Sequence, residues 1–415
     1  MERGRFEVVR DPLWNNIGLD PEALGVLDSE PLQRLRYVRQ LGHAFLVYPG
    51  ATHSRFEHAL GTYHLARRAV SLLRDRGDLD GIPESSVTLV RLAALLHDVG
   101  HYPFSHALEE AGLPSHEALA AERLAHPELT AALTGTGLAD AGAQIARLIT
   151  GTSSDPLQGL ISGAIDLDKI EYLTRDAHMC GVPYGTVDVD RLLHSLTLVT
   201  YQGRRTVGLH EKGVAALESL LFAKYQMYRN VYWHHAVRSA TAMFKRAVRD
   251  AIAQQQLTPA GIAESTDENL MDQLRRSGSP LAERLRRRHL YKRVLDLPAA
   301  DLPDGMGGWL SDDPDLVAQV EDQLAEAHGL PAGALLLDYP RKPAMLASNL
   351  PVITRHGDVA PAQLSIAGVA DDLHRAARRF RVFADRRIVL DEAQTRALVT
   401  QPVPAASANA RANRR

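Results

Sequence analysis

Seven of the chain's 18 histidines fall between His53 and His116, more than twice the number an even scatter would place there. They are His53, His58, His64, His97, His101, His106 and His116. Imidazole is the commonest protein ligand of metals and the side chain whose charge changes near neutral pH. A cluster of this kind can therefore hold an ion or move protons. Its sharpest element is the pair His97-Asp98, which closes the apolar run LAALL. A carboxylate ending such a run has to be paired, hydrogen-bonded or metal-bound once it is buried. Neighbours on a helix are separated by about 100°, so both can reach one ion placed off the helix end. His58, in SRFEHAL, and Asp168, in AIDLDKIEYLTRD, stand in comparably apolar frames. Singly, each of these residues is most simply read as a hydrogen-bonded pair, a satisfied helix histidine or a solvated acid. Jointly, two imidazoles and two carboxylates make a mixed nitrogen and oxygen site. Such a site leaves positions for water and phosphate, as metal-assisted hydrolysis requires.

Helices have to position these groups. Apolar residues at helical spacing (Leu60, Leu65, Ala69, Leu72) predict a helix over residues 55–74. A second is expected over 87–98, capped by Ser85-Ser86 and ended by Gly100 and Pro103, and a third over 163–179, stopping before Gly181. Leu32, Leu35, Tyr37 and Val38 suit one short helix. The segments LVTY and TVGL flank Gln202-Gly203 and predict a small β-hairpin, followed by a long helix from Lys212 to about Asp250. Residues 254–280 are polar and broken by Gly, Ser and Thr-Pro, which suits exposed helices and loops. Past Leu330 the segments LLLDYPRKPAML and FRVFADRRIVL carry β character. The expected fold class is mainly α: a helical catalytic core with a short β-hairpin and a smaller mixed α/β C-terminal lobe. The catalytic domain is placed at 1–330 with its core motifs at 28–240, the lobe at 331–400, and a disordered tail rich in Ala, Asn and Arg at 401–415.

The bulk numbers narrow the function classes. Forty-seven basic residues against 50 acidic ones leave a net charge of −3, so the average surface does not attract polyanions and any anion site must be built locally. A single cysteine, Cys180, rules out a disulfide framework and a cysteine-based zinc site. The first residues are charged where a signal peptide needs an apolar run, and no apolar stretch is long enough to span a bilayer. A cytoplasmic protein is expected.

Three runs together are specific. DSEPLQRLRYVRQLGHAFLVYPGATHSRFEHALG, LLHDVGHYPFSHALE and DLDKIEYLTRDAHMCG resemble, in order and spacing, the deoxynucleoside triphosphate triphosphohydrolases of the HD superfamily. The resemblance extends over roughly residues 20 to 240 and weakens in the C-terminal third. It implies that His58, His97, Asp98 and Asp168 are the ligands of a divalent ion, with Mn, Mg, Fe, Co, Ni and Zn all open. It implies that Arg55 meets substrate phosphate, and that His101, His106 and His116 contact the α-phosphate and handle protons. Glu109 stands where the family has an aspartate beside a catalytic histidine, a departure that bears on its pairing with His116. Lys169 and Tyr172 match phosphate-binding positions, as does Lys224, which replaces an arginine. Asp176 and Tyr232 match residues around sugar and base. Gln40 and Leu41 match the pair that binds the sugar 3′-OH and crowds out a 2′-OH. Asp28, Gln33, Arg36 and Lys212 coincide with an activator site for GTP or a dNTP, which in the family lies between subunits of a homodimer or homotetramer.

The activity so implied is hydrolysis of a dNTP to deoxynucleoside and inorganic triphosphate. Other HD phosphohydrolases, acting on nucleoside monophosphates, alarmones or cyclic nucleotides, share the His, His-Asp, Asp core. They are not expected to carry Gln40-Leu41 and DKIEY as well. A catalytically silent regulatory or nucleic-acid-binding HD protein would lack a ligand and carry a basic excess, and neither holds here. Neither a membrane nor a nucleic acid is required as a partner.

Overall fold

A computed structural model of the chain describes residues 7–302, 309–310, 313–340, 350–364, 373 and 375–400. The tail expected at 401–415 lies outside them. The chain is mainly helical, with small sheets, and it opens on an antiparallel hairpin that the sequence pattern did not announce: β1 (Glu7–Asp11) and β2 (Asn15–Leu19). Asp11 closes its turn by accepting the backbone N–H groups of Leu13 and Trp14, both at 2.8 Å. The strands are short and only Ile17 and Leu19 are anchored in the core, which is why no alternation stood out. Helices α1 (Pro21–Leu27) and α2 (Glu30–Arg34) follow. The single helix expected around Leu32 to Val38 is instead α2, a 3-10 turn (Leu35–Tyr37) and an extended Val38.

Helix α3 (Arg55–Asp75) begins at a capping box in which Ser54 Oγ accepts from Glu57 N–H while the Glu57 carboxylate accepts from Ser54 N–H. Helix α4 (Glu84–Leu96) starts three residues before the expected one, directly after Pro83 and without a side-chain cap. It also ends earlier. His97 is its C-cap, and Asp98 sits in the following turn, held by Val99 N–H on Leu96 O (3.1 Å) and His101 N–H on Asp98 O (3.0 Å). Helices α5 (His116–Leu124), α6 (Pro127–Gly135) and α7 (Ala141–Ile149) come next, with α5 and α6 packing on α7 and α7 on α4. Gly100 lets α5 come close: a Cβ there would lie 2.1 Å from His116 O.

Helix α8 (Leu167–Cys180) is shorter than expected at its start, because Asp166 caps it by accepting Lys169 N–H at 2.9 Å. Gly181, with φ of +66°, ends it. After α9 (Val189–Ser195), the hairpin β3 (Leu196–Tyr201) and β4 (Arg204–His210) turns at Gln202-Gly203, as the sequence predicts. The long helix expected from Lys212 is broken into α10 (Val214–Met227) and α11 (His235–Ala253). Between them Tyr228–Tyr232 forms a π turn, closed by Trp233 N–H on Tyr228 O at 2.9 Å. Helical spacing alone does not show a break that inserts one residue without a Pro or Gly.

Residues 254–280 hold the short helices α12 (Pro259–Glu264) and α13 (Asp267–Arg276). The β character past Leu330 finds its partner upstream. β5 (Lys292–Pro298), β6 (Leu335–Asp338) and β9 (Arg379–Ala384) form one antiparallel sheet in the order β5-β9-β6. β7 (Pro351–Ile353) joins β4 in parallel and pairs with β8 (Val359–Pro361). Arg238 of α11 ties this region to the core by bridging Asp338 of β6 (2.6 Å) and Glu110 (2.7 Å). Among the described residues no helix is long and apolar enough to cross a membrane.

Helices α3 and α8 pack face to face at Gly61, where a Cβ would lie 2.0 Å from Glu171 Oε1 and 2.8 Å from Arg175. Helix propensity favours alanine over glycine by about 0.5–1 kcal/mol. The contact reverses that sign, and Gly61→Ala should destabilise the chain by about 1–3 kcal/mol, as overpacking does. Urea unfolding measures it, and a raised midpoint would show that the space is not needed.

Candidate metal centre and active-site cavity

Three helices deliver the central group: α3 supplies His58, the end of α4 supplies His97 and Asp98, and the first turn of α8 supplies Asp168. His58 Nε2 lies 3.0 Å from Asp168 Oδ1, 3.1 Å from His97 Nε2 and 3.6 Å from Asp98 Oδ2. His97 Nε2 lies 3.4 Å from Asp98 Oδ1 and 3.6 Å from Asp168 Oδ1. Ligand atoms about 2.1 Å from one ion are separated by about 3.0 Å at octahedral and about 3.4 Å at tetrahedral angles. The observed spacings, 3.0–3.6 Å, lie close to that spread, with His58, His97 and Asp168 drawn together and Asp98 at their side.

Protons on the two rings point the same way. His97 Nδ1–H donates to Ala94 O at 2.9 Å, and a carbonyl can only accept. His58 Nδ1–H donates to Glu171 Oε2 at 2.6 Å. Both Nε2 atoms are thereby left with lone pairs that face each other and Asp168. Two lone pairs at 3.1 Å repel unless a cation lies between them, so the donor set fits a divalent ion. Burial opposes charge on His58, yet Asp168, Glu171 and Asp98 together push its pKa up to about 10. The cluster calls for positive charge. Burial also opposes ionisation of Asp98, but Arg55, His97 and His101 hold its carboxyl well below the usual range.

Glu171 and its support were not singled out in the sequence. Its carboxylate accepts from His58, from Trp14 Nε1 (2.8 Å) and from Arg175 Nε (2.8 Å), and Arg175 also meets Asp11 at 3.0 Å. Burial alone would raise the Glu171 pKa, but Arg175 and His58 bring it below the ordinary value. A buried glutamate one helical turn from Asp168, in the apolar frame IEYL, was the available signal. The hairpin residues Trp14 and Asp11 had none.

A second group gathers beside the first. His101, His106, Glu109 and His116 bring one nitrogen or oxygen each within 4.8 Å of one another. Glu109 Oε1 accepts from His116 Nδ1 at 2.8 Å and from His106 Nδ1 at 3.2 Å, so the longer side chain reaches both rings. Burial resists charge on Glu109 and His116 alike. Even so, the pairing lowers the Glu109 pKa and raises that of His116. His101 stacks on His116 at 3.8 Å, and burial with Arg55 nearby keeps it neutral.

Both groups open on a cavity of about 540 Å³. Arg55, His97, Asp98, His101, His106, Glu109, His116, Asp168, Lys169, Tyr172, Lys224, Gln40, Leu41, Asp176 and Tyr232 all line it, and His58 lies fully buried behind. Arg55 donates to Asp98 at 2.7 Å and to Ser105 Oγ at 3.0 Å. Lys169 is paired with Asp166. Burial and the nearby Lys169 push the Lys224 pKa down to about 8. Gln40 Oε1 is buried and has no hydrogen-bond partner among the described residues. Asp176 accepts from Tyr232 at 2.7 Å and pairs with His53 at 2.8 Å, a role for His53 that the sequence did not suggest. His64 leaves the group and packs against Trp14. Asp28, Gln33, Arg36 and Lys212 lie outside the cavity. Arg36 donates to Gln33 at 2.7 Å and covers the Phe56 ring, whereas exposed Lys212 belongs to the turn before α10.

Residues 55–157 match the HD domain, and residues 187–397 match the HD associated region. An uncharacterized protein of Methanocaldococcus jannaschii is 35% identical over 85% of this chain and 73% of its own length. This chain belongs to the HD-domain phosphohydrolase family that carries the HD associated region. The deoxynucleoside triphosphate triphosphohydrolase SAMHD1 is 28% identical in Bos taurus and 26% in Homo sapiens, over 55% and 62% of this chain. The chain spans less than half the length of those two proteins, 45% and 46%. The crystal structure of a hypothetical protein from Aquifex aeolicus superposes with a TM-score of 0.73 at 28% identity, covering 95% of this chain and all of that one. HD domains bind divalent metal, and the histidine and aspartate group of this chain is able to hold one.

Glu171 orients a ligand without touching the ion, and loss of such a partner typically costs 10–100-fold in metal affinity. Glu171→Gln should weaken Mn²⁺ binding by about that factor, read by isothermal titration of the metal-free protein. Unchanged affinity would mean that the hydrogen bond does not set the His58 tautomer.

Proposed function

We propose that the chain hydrolyses deoxynucleoside triphosphates to deoxynucleoside and inorganic triphosphate. The observation that carries this reading is the composition of the cavity on which both groups open. His97, Asp98 and Asp168, the cations Arg55, Lys169 and Lys224, and the polar pair Gln40 and Asp176 all line it, with His58 buried directly behind. A divalent ion held by His58, His97, Asp98 and Asp168 supplies Lewis-acid polarisation of a phosphate oxygen and an acidified water.

The remaining chemistry belongs to the protein. Arg55, Lys169 and Lys224 neutralise the triphosphate and align it, so that a water meets the α-phosphorus opposite the 5′-oxygen. The new phosphorus–oxygen bond forms as the bond to O5′ breaks, and the water's oxygen leaves with the triphosphate. The 5′-alkoxide needs a proton. His116 and His106 share the Glu109 oxygen, and one of them donates it as general acid. Tyr172 and Tyr232 are kept as neutral phenols by burial, so they donate hydrogen bonds. The unpaired Gln40 Oε1 suits a sugar hydroxyl donor, and Leu41 beside it leaves little room for a 2′-OH. The exposed Asp28 and Arg36 and the half-buried Gln33, with Lys212 on another segment, are proposed to take a GTP or dNTP activator in a homodimer or homotetramer.

Incubating each dNTP with Mn²⁺ or Mg²⁺, with and without GTP, should release triphosphate and deoxynucleoside in equal amounts. Release of orthophosphate or pyrophosphate instead rejects attack at the α-phosphorus.

Lys224 also predicts a pH profile. Its ammonium is present below its pKa and lost as pH rises through about 8. The alkaline limb of kcat/KM should therefore fall near pH 8, and Lys224→Arg should move it upward. A limb unmoved by that substitution removes Lys224 from phosphate binding.

A further inference from the structure

The turn that carries the histidines from the α4 end into the cavity has an unusual backbone. Phe104 and Ser105 are consecutive non-glycine residues with φ of +56° and +58°. A left-handed residue of this kind is strained and persists only where its surroundings over-determine it. Those surroundings can be traced. Ser105 Oγ shares its one O–H between Arg39 O (2.8 Å) and Gln40 O (3.0 Å) while accepting from Arg55 Nε (3.0 Å). Phe104 is locked by its ring, stacked on His43 at 4.2 Å and tilted on Phe244 at 4.6 Å.

The last constraint comes from outside the HD domain match. Asp267, the first residue of α13, is 1% exposed and lines no part of the cavity. Its Oδ1 accepts Phe104 N–H at 2.8 Å. Its Oδ2 accepts Arg39 N–H at 3.1 Å and Arg39 Nη1 at 3.3 Å. One buried carboxylate thus joins the strained turn to the segment that ends in Gln40, and Ser105 joins the same two segments to Arg55 and, through it, to Asp98. All three hydrogen-bond partners of Asp267 are donors, and they reach both of its oxygens, so acceptors are needed on both sides.

We infer that Asp267 is a positioning residue, which fixes the left-handed Phe104-Ser105 turn and thereby the placement of His101, His106 and Gln40 about the substrate. This rests on the proposed function for its kinetic consequence, though not for its structural one. Burial pushes the Asp267 pKa up to about 6 against the Phe104 and Arg39 N–H groups. At pH 8 the carboxylate form prevails, and that is the pH for the assay.

Asp267→Asn keeps the shape but turns one acceptor into a donor aimed at other donors. In the folded variant kcat should fall by about 10- to 100-fold, the size of effect a small misplacement of catalytic groups produces. KM should change less than kcat, because Lys169 and Lys224, proposed to hold the triphosphate, lie on α8 and α10 away from the turn. Glu268→Gln, which removes the exposed carboxylate 3.1 Å from Arg39 Nη2, should leave both constants unchanged and serves as the control. Hydrogen exchange by mass spectrometry gives a reading independent of any substrate. The Phe104 amide of the unaltered protein should exchange slowly for a turn, and Asp267→Asn should speed it. Unchanged kcat, a rise in KM alone, or rapid exchange at Phe104 in the unaltered protein overturns the inference. If no dNTP is cleaved at all, the proposed function falls, while the exchange measurement still decides the role of Asp267.

Discussion

A buried imidazole has two nitrogens, and the use of one dictates the state of the other. His58 spends its Nδ1–H on Glu171, and from that hydrogen bond much of the site follows. The Nε2 lone pair must face Asp168 and His97. Glu171 must stay ionised in a dry interior, which needs Arg175, and Arg175 in turn needs Asp11. The α3 and α8 backbones must come close enough for this, which excludes a side chain at position 61. A buried charge is tolerated only when paired and hydrogen-bonded, so these residues stand or fall as a set.

A similar logic governs the group of His101, His106, Glu109 and His116. Glu109 holds two imidazoles with one oxygen, and Glu110, its neighbour, turns the other way to Arg238 and Lys245. Two adjacent glutamates therefore tie the cavity wall to α11 and, through Arg238 and Asp338, to the C-terminal sheet. The mixed C-terminal part is an anchor for the segment that presents His106.

The sequence displayed the ligands more readily than their support. His58, His97 and Asp168 stood out because polar groups in apolar helical frames are anomalies that demand a partner. The cavity residues were legible through their motifs. Glu171 was hidden because a glutamate in a helix is ordinary until its burial is known. The hairpin bearing Trp14 was hidden because its short strands bury too few residues to alternate visibly. The break at Tyr228–Tyr232 was missed for a related reason: a π turn spends one extra residue without a Pro or Gly to mark it. The strained turn at Phe104-Ser105 likewise uses residues that do not advertise a left-handed backbone. Such departures from local preference are expected where a site imposes its own geometry.

The contact between Trp14 and Glu171 joins residues 157 positions apart. Pairings of such sequence separation form late, because the loop they close must first lose its freedom. During synthesis His58 and the His97-Asp98 pair emerge well before Asp168 and Glu171. A nascent chain therefore holds three of the four candidate ligands without the partner that fixes the His58 tautomer, and the donor set is complete only when α8 docks. Metal affinity in this fold is then coupled to completion of the core, as expected where no preformed site exists in the unfolded chain. An ion bound there would be the seal on a finished structure.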